Sequence, residues 1–305
     1  MLLTVAICTW NRAEFLDHAL AAMHELVVPD GVEWELLVVN NNSTDDTDGV
    51  VSRHSSELPI RYLFEPTQGK SHALNRAVRE AAGEYILWTD DDALVRRDWM
   101  AAYVDAFRGW PSAAVFGGPV RPWYEGTPPR WLDEALPIVG SAYALRDFGK
   151  EPLPLSAKRV PYGVNMAVRS NDQARNLYDT ALGPRPGSQL RGEETALVRE
   201  MLESGASGWW VPDAVVRHWV PKDRQTLAYV RSFYRGIGEG YAIQGNPADT
   251  AMLLGRPLWM WRAVVERELV YRFKRTFLGR HRSMQSMVDA SLAWGALRGG
   301  ASKIR

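Results

Sequence analysis

An alternation of short apolar runs with amphipathic stretches through the first 120 residues limits this chain to very few folds. Leu3 to Cys8, Glu35 to Val39, Ile60 to Phe64, Tyr85 to Thr89 and Ala113 to Phe116 have the length and composition of buried strands. Asn11 to Leu26, Ser71 to Ala82 and Asp98 to Arg108 carry apolar residues at helical spacing. Asn11, with Glu14 three positions on, reads as an N-cap, Asp98 as another, and Gly83 as the residue that closes a helix. Strands of this kind separated by helices predict an α/β fold whose mostly parallel sheet is covered by helices, with ligands at the carboxyl ends of the strands.

The informative polar residues fall at those ends. Thr9-Trp10-Asn11-Arg12 follows the first strand, Asn40-Asn41-Asn42-Ser43-Thr44-Asp45-Asp46-Thr47 the second, and Asp90-Asp91-Asp92 the fourth. Three adjacent carboxylates repel one another, and a hard divalent cation between them and an anionic ligand relieves the repulsion. Mg²⁺ or Mn²⁺ held by one or two carboxylates plus phosphate oxygens is the common arrangement. The triplet therefore points to a diphosphate-bearing substrate, the alternative being an acidic loop ahead of the Asp98 cap.

Further along, Gly117 to Val160 is rich in Pro, Gly and aromatics, among them Trp123, Tyr124, Trp131 and Tyr143, and reads as a long irregular insertion. Aromatics of this kind are mostly core, and one of these four is expected to touch substrate. Val160 to Arg169 reads as a strand, Glu193 to Ser204 as a helix stopped by Gly205, and Trp209 to Val211 and Ala214 to Val216 as short strands.

The formal net charge of zero hides an asymmetry. From Arg217 onward there are 16 Lys and Arg against 6 Asp and Glu, and before it 20 against 30. The basic stretch is helical in pattern and holds Trp259, Trp261, Arg262, Arg267, Tyr271, Arg272, Lys274, Arg275, Arg280 and Arg282, which predicts an anionic neighbour such as a phospholipid surface rather than nucleic acid. No window holds about 18 uncharged apolar residues, and the apolar start lacks a basic leader, so neither a spanning helix nor a signal peptide is expected. The single cysteine, Cys8, excludes an internal disulfide and reads as a buried small residue, which fits a reducing cytoplasm.

The order of motifs resembles family 2 glycosyltransferases, inverting enzymes of the GT-A fold. The resemblance rests on Val5 to Arg12, Leu37 to Thr47, Gly69 to Asn75, Ala82 to Asp92 and Gly192-Glu193-Glu194, and spans roughly the first 220 residues. It implies a catalytic domain over residues 1–220, with a nucleotide-sugar half (1–118) and an acceptor half (119–220), followed by a basic helical extension (221–305). It further implies sugar transfer from a nucleotide-diphosphate donor to a hydroxyl of a saccharide or lipid-linked acceptor.

Under that resemblance Thr9, Trp10, Asn11, Arg12, Asn40, Asn42, Asp45, Lys70, Asn75, Asp90 and Asp91 hold the nucleotide sugar. The triplet is the family's DxD motif, with Asp92 the direct metal ligand, Asp90 its outer partner nearer the ribose, and His218 a third ligand. Many members carry Asp at the position of Asn40. Asn loses the charge and gains an NH₂ donor, so a uridine preference does not carry over. The competing reading of Asn40 is a turn brace in its Ser/Thr/Asp-rich loop. Glu194 is the implied general base with Glu193 beside it, although acids in a helix's first turn also suit the macrodipole. His218 has the competing reading of a packed histidine, and Arg224 and Arg231 to Arg235 either approach the diphosphate or, as the pattern favours for any one of them, form a solvated helix face. Sugar-nucleotide synthesis is a rival reading, but Thr9 to Arg12 lacks its glycine-rich phosphate loop. A non-catalytic carbohydrate-binding relative is another, and the intact acidic motifs argue against it.

Overall fold

A computed structural model of the protein describes residues 1–180, 192–242 and 251–299; residues 181–191 of the expected acceptor half lie outside them. In chain order the elements are β1 (Leu2–Thr9), α1 (Ala13–His24), β2 (Glu33–Asn40), α2 (Thr47–His54), β3 (Ile60–Phe64), α3 (Lys70–Glu80), β4 (Tyr85–Asp90), β5 (Ala93–Val95), α4 (Trp99–Gly109), β6 (Val115–Gly117), β7 (Val120–Tyr124) and α5 (Arg130–Val139). There follow β8 (Leu153–Pro154), β9 (Met166–Arg169), α6 (Ser170–Arg175), α7 (Glu193–Glu203), β10 (Gly208–Trp210), β11 (Val216–Val220), α8 (Leu227–Ala242), β12 (Met252–Leu253), β13 (Arg256–Pro257), α9 (Leu258–Phe277) and α10 (Gly279–Gly299).

Two compact units emerge, Met1–Pro122 with Ala144–Trp219, and Trp123–Tyr143 with Val220–Arg305. The first is built on an eight-stranded sheet in the order β3-β2-β1-β4-β9-β6-β10-β8. Strands β3, β2, β1 and β4 are parallel neighbours, whereas β9 runs antiparallel to both β4 and β6. Alternate side chains feed two cores, because this sheet is covered on both faces. Leu3, Val5, Ile7, Leu36 and Val38 pack with Leu16 of α1 and Trp99, Tyr103 and Phe107 of α4. Ala6, Leu37, Val39 and Ile86 pack with Ala73 and Ala77 of α3 and Leu197 of α7. The register pairs Thr9 with Asn40, Asn40 with Phe64 and Cys8 with Asp90, so the polar strand ends meet at one edge.

Several local expectations are corrected. Asn11 does not cap α1; its side chain accepts from the Thr44 amide (2.7 Å), and Asp45 Oδ2 instead accepts the Ala13 amide (2.8 Å). Asp98 occupies the N-cap position of α4, but its carboxylate pairs with Arg96 and makes no capping bond. Helix α3 ends before Ala81 in extended backbone, and Gly83 serves close approach instead, since a Cβ there would lie 2.5–2.8 Å from backbone atoms of Leu3. Between Gly117 and Val160 the chain forms β7, the helix α5 despite Pro137, and β8, rather than an irregular insertion. Only the last four residues of the expected 160–169 strand pair, because Gly163–Asn165 forms a 3₁₀ turn. The strand expected at Ala214 to Val216 begins only at Val216.

That turn places Asn165, fully buried, at a junction. Its Oδ1 accepts from Trp99 Nε1 and Tyr103 Oη, both at 2.8 Å, and its Nδ2 donates to the carbonyls of Pro119 (2.9 Å) and Ala214 (2.6 Å). All of its amide capacity is engaged, so the junction is held in one geometry.

In the second unit α10 packs against both α8 and α9, with α5 alongside it. Tyr234 donates to the carbonyl of Ile138 (3.1 Å) and Tyr143 to that of Arg224 (3.1 Å). No helix among the described residues is long and apolar enough to cross a membrane.

Candidate active site

The site is assembled at the carboxyl ends of β1 and β4, which are parallel neighbours in the sheet. Asp91, buried, accepts a hydrogen bond from Thr9 Oγ1 (2.8 Å) and one from Arg12 Nη1 (3.0 Å). The same guanidinium nitrogen reaches Asp92 Oδ2 at 2.7 Å. Strand β11 returns antiparallel to β5 with His218 opposite Ala93, and the Trp219 amide donates to the Asp92 carbonyl (2.9 Å). This pairing brings His218 Nε2 to 3.3 Å from Asp92 Oδ1. On the other side Lys70 Nζ lies 3.0 Å from Asp90 Oδ1 and 2.8 Å from Glu194 Oε1.

Electrostatics follow from these contacts. Burial pushes the Asp91 carboxyl up to about 6, against the opposing pull of Arg12. Asp92 experiences the same burial, yet His218 and Arg12 hold it well below the usual carboxylate range. Burial disfavours the Lys70 charge, but Asp90, Glu194 and Glu193 outweigh it and keep the ammonium above its ordinary value. Glu193 is only 3% exposed, and burial together with the Glu194 charge raises its carboxyl to about 7. The Cys8 thiol beneath the site is driven upward by burial, which leaves it a packing residue rather than a thiolate.

Of the three expected metal ligands, Asp92 and His218 meet, while Asp90 turns to Lys70. Among the described residues no group of three acid, imidazole or thiol ligands is gathered. The Asp92–His218 pair nevertheless suits Mg²⁺ or Mn²⁺. Two adjacent octahedral ligands at about 2.1 Å from an ion stand about 3 Å apart, and such ions take their remaining ligands from water and substrate phosphates. The 3.3 Å O···N separation is close to that spacing.

The β2 loop is largely self-braced. Asn40 Oδ1 accepts the Ser43 amide (2.8 Å), the turn-brace alternative, and its Nδ2 donates to Tyr62 Oη (2.7 Å) and Asp48 Oδ1 (3.1 Å). Asp48 and Tyr62 were not picked out from the sequence. Asp48 places a carboxylate beside the amide that stands where many family members carry Asp, and an acid in the first turn of α2 was the available signal. Asn11 and Asn42 both take positive φ, which Asn tolerates better than other side-chain-bearing residues. Trp10 is exposed at the rim. Asn75 does not join the cluster; it is buried, and its side chain bonds both the amide and the carbonyl of Tyr178, bracing α3. In the second unit Tyr143 is a buried packing residue, and Arg231 pairs with Glu268.

Glu193 and Glu194 open α7 in its first turn. Glu194 is partly open and faces Lys70, while Glu193 turns inward, since neighbours on a helix point about 100° apart. Gly163 leaves room for Glu194: a Cβ there would lie 2.5–2.6 Å from the Glu194 side chain.

Comparison with known proteins follows the same lines. Succinoglycan biosynthesis protein ExoM of Rhizobium meliloti (strain 1021) is 29% identical over 248 residues, covering 77% of this chain and 73% of that protein. Poly-beta-1,6-N-acetyl-D-glucosamine synthase of Staphylococcus epidermidis is 25% identical over 115 residues, 37% of this chain and 27% of its own length. The mannosyltransferase PcManGT from Pyrobaculum calidifontis, solved with GDP-Man and Mn²⁺, superimposes with a TM-score of 0.63 at 21% identity, over 99% of this chain and 87% of that one. S. aureus TarS 1–349 with UDP-GlcNAc gives 0.54 at 15% identity, over 98% and 92%. These superpositions identify the sheet and helices as the GT-A fold. The Glycosyl transferase family 2 profile matches residues 4–167, more than half of the chain, which therefore belongs to that family and is a glycosyltransferase.

Proposed function

We propose that this glycosyltransferase moves a sugar, with inversion, from a nucleoside-diphosphate donor to a hydroxyl of a saccharide or lipid-linked acceptor in the synthesis of a cell-surface polysaccharide. The carrying observation is the convergence on one strand-end edge of two fixed cations, Arg12 and Lys70, an Asp92–His218 pair and a partly open carboxylate, Glu194. The names of ExoM and of the PcManGT and TarS complexes support the substrate class.

In this reading Thr9, Trp10, Asn11, Arg12, Asn42 and Asp45 frame the nucleotide side. Lys70 and Arg12 present positive charge to the diphosphate. Held by Asp92 and His218, with Asp90 nearby, Mg²⁺ or Mn²⁺ would neutralise the departing diphosphate. Glu194 takes the acceptor's proton as the acceptor oxygen attacks the anomeric carbon opposite the leaving group. Glu193, buried behind it, positions the helix start.

Titration calorimetry with nucleoside diphosphates and Mn²⁺ tests the binding half. Asp92→Asn should fold normally and lose most metal-dependent donor binding, and equal wild-type binding in EDTA would end the metal assignment. Glu194→Gln should lower turnover by about 10²- to 10⁴-fold with donor affinity intact. The base is misassigned if Glu193→Gln is the variant with that behaviour.

The α9 surface supports peripheral association with the inner face of the cell membrane. Val265, Leu269, Phe273 and Phe277 follow one another at i, i+4 and are all exposed, the two Phe by 60% and 70%. Arg262, Arg267, Arg272, Lys274 and Arg275 flank that row. An exposed apolar row with basic flanks is the pattern of an interfacial helix, and each cation near an anionic surface contributes about 1 kcal/mol.

A further inference from the structure

The second unit contains a cavity of about 500 Å³ lined by Ala228, Arg231 and Arg235 of α8, Glu268 and Arg272 of α9, and Trp294 of α10. Three guanidiniums line it, and two of them share its one carboxylate. Arg231 Nη2 lies 3.3 Å and Arg272 Nε 3.2 Å from the two oxygens of Glu268, which is thereby fully engaged. Arg235 makes no ion pair among the described residues. The Nε atoms of Arg231 and Arg235 are buried without a hydrogen-bond partner. Burial, then the charges of Arg231 and Arg298, push the Arg235 guanidinium below its ordinary value, with Glu268 opposing. The lining thus carries two uncompensated positive charges and unused N–H donors in a fork geometry suited to phosphate oxygens.

A second hollow of about 200 Å³ adjoins it, sharing Glu268, Arg272 and Trp294 and completed by Trp261, Val264, Val265 and Leu269. Its walls are almost wholly apolar, and two of them, Val265 and Leu269, belong to the exposed row of α9. A cationic cavity that continues into an apolar groove matches an amphiphile with a dianionic head and a hydrocarbon tail.

We propose that the Arg231–Arg235–Arg272 cavity binds the terminal phosphate or diphosphate of a membrane lipid, whose first tail segment lies in the Trp261–Leu269 groove. A phosphomonoester carries about −1.5 to −2 at neutral pH, which matches the excess of the lining, whereas a phosphodiester headgroup carries only a single charge. The inference rests on the membrane reading of α9, and the test separates the two.

The full chain is floated with vesicles of phosphatidylcholine alone, with phosphatidylglycerol, and with phosphatidic acid, the last two matched in surface charge. Binding should be about tenfold stronger to phosphatidic acid than to phosphatidylglycerol, as expected for one added charge-assisted contact. Arg235→Gln should remove that preference while keeping its binding to phosphatidylglycerol and its thermal midpoint. Flotation with no headgroup preference, or a preference that survives Arg235→Gln, overturns the cavity assignment and leaves the membrane reading intact. Failure to float on any vesicle overturns both. If inorganic diphosphate binds the chain without vesicles as tightly as the lipid does, the site takes a free anion and the lipid assignment falls. Should Arg235→Gln unfold, Arg235→Lys replaces it, keeping the charge and losing the fork, and should weaken the preference.

Discussion

Replacing Lys70 by Met removes the cation shared by Asp90 and Glu194 and leaves facing carboxylates, with Glu193 behind them. Removing one partner of a fully buried pair costs about 3 to 5 kcal/mol, because the other charge is left desolvated. Here the Lys70 and Asp90 side chains are each 25% exposed and Glu194 13%. Water therefore screens part of the loss, and about 2 to 3 kcal/mol at pH 8 is the expected destabilisation. The cost should shrink as pH falls from 8 through about 7, because Glu193 takes up its proton there and one of the charges that Lys70 offsets is gone. Adding Glu194→Gln to Lys70→Met should recover about 1 to 2 kcal/mol, because the two side chains touch and their effects are not additive. Urea unfolding followed by indole fluorescence is a suitable assay, as Trp88, Trp99 and Trp210 are buried in the same unit as Lys70. A Lys70→Met protein as stable as wild type at pH 8, or strictly additive single and double variants, would refute the reasoning.

Gly163→Ala should displace the Glu194 carboxylate and lower turnover without changing donor affinity, measured by steady-state transfer and calorimetry. Asn165→Leu should destabilise by about 3 to 5 kcal/mol in urea, since Trp99, Tyr103 and two carbonyls lose partners at once in a buried junction. Glu35 accepts from Thr4 (2.7 Å), the Ala82 amide (2.7 Å) and Arg61 (2.5 Å). Burial opposes its charge, but these bonds hold its carboxyl below the ordinary value. Its contribution should therefore be complete above about pH 4.3 and lost as pH falls through the lower folded value. Glu35→Gln should cost about 1.5 to 3 kcal/mol at pH 7 and much less near pH 2 to 3.

The five strands first read in residues 1–120 and the polar clusters at their ends were legible in the sequence by itself, because a strand buried on both faces must be continuously apolar and polar residues can begin only where it stops. The acidic triplet and Thr9 to Arg12 were legible for the same reason, whereas Lys70 and the Glu193–Glu194 helix start were reached through the family resemblance. Partner choice was not legible. That Asp45 rather than Asn11 caps α1, that Asp90 turns to Lys70 while Asp92 turns to His218, and that Asn75 braces Tyr178 all depend on contacts between residues 20 to more than 120 positions apart. Neither could the sequence show that Asp48 and Tyr62 would gather on Asn40, or that Arg231 and Arg272 would share a single carboxylate in a cavity that Arg235 also lines. Local pattern determines which residues are polar and where an element ends. Which of them meet is decided by sheet register and helix packing, since a side chain's hydrogen bonds and charge partners are set by what the tertiary structure brings within about 3 Å.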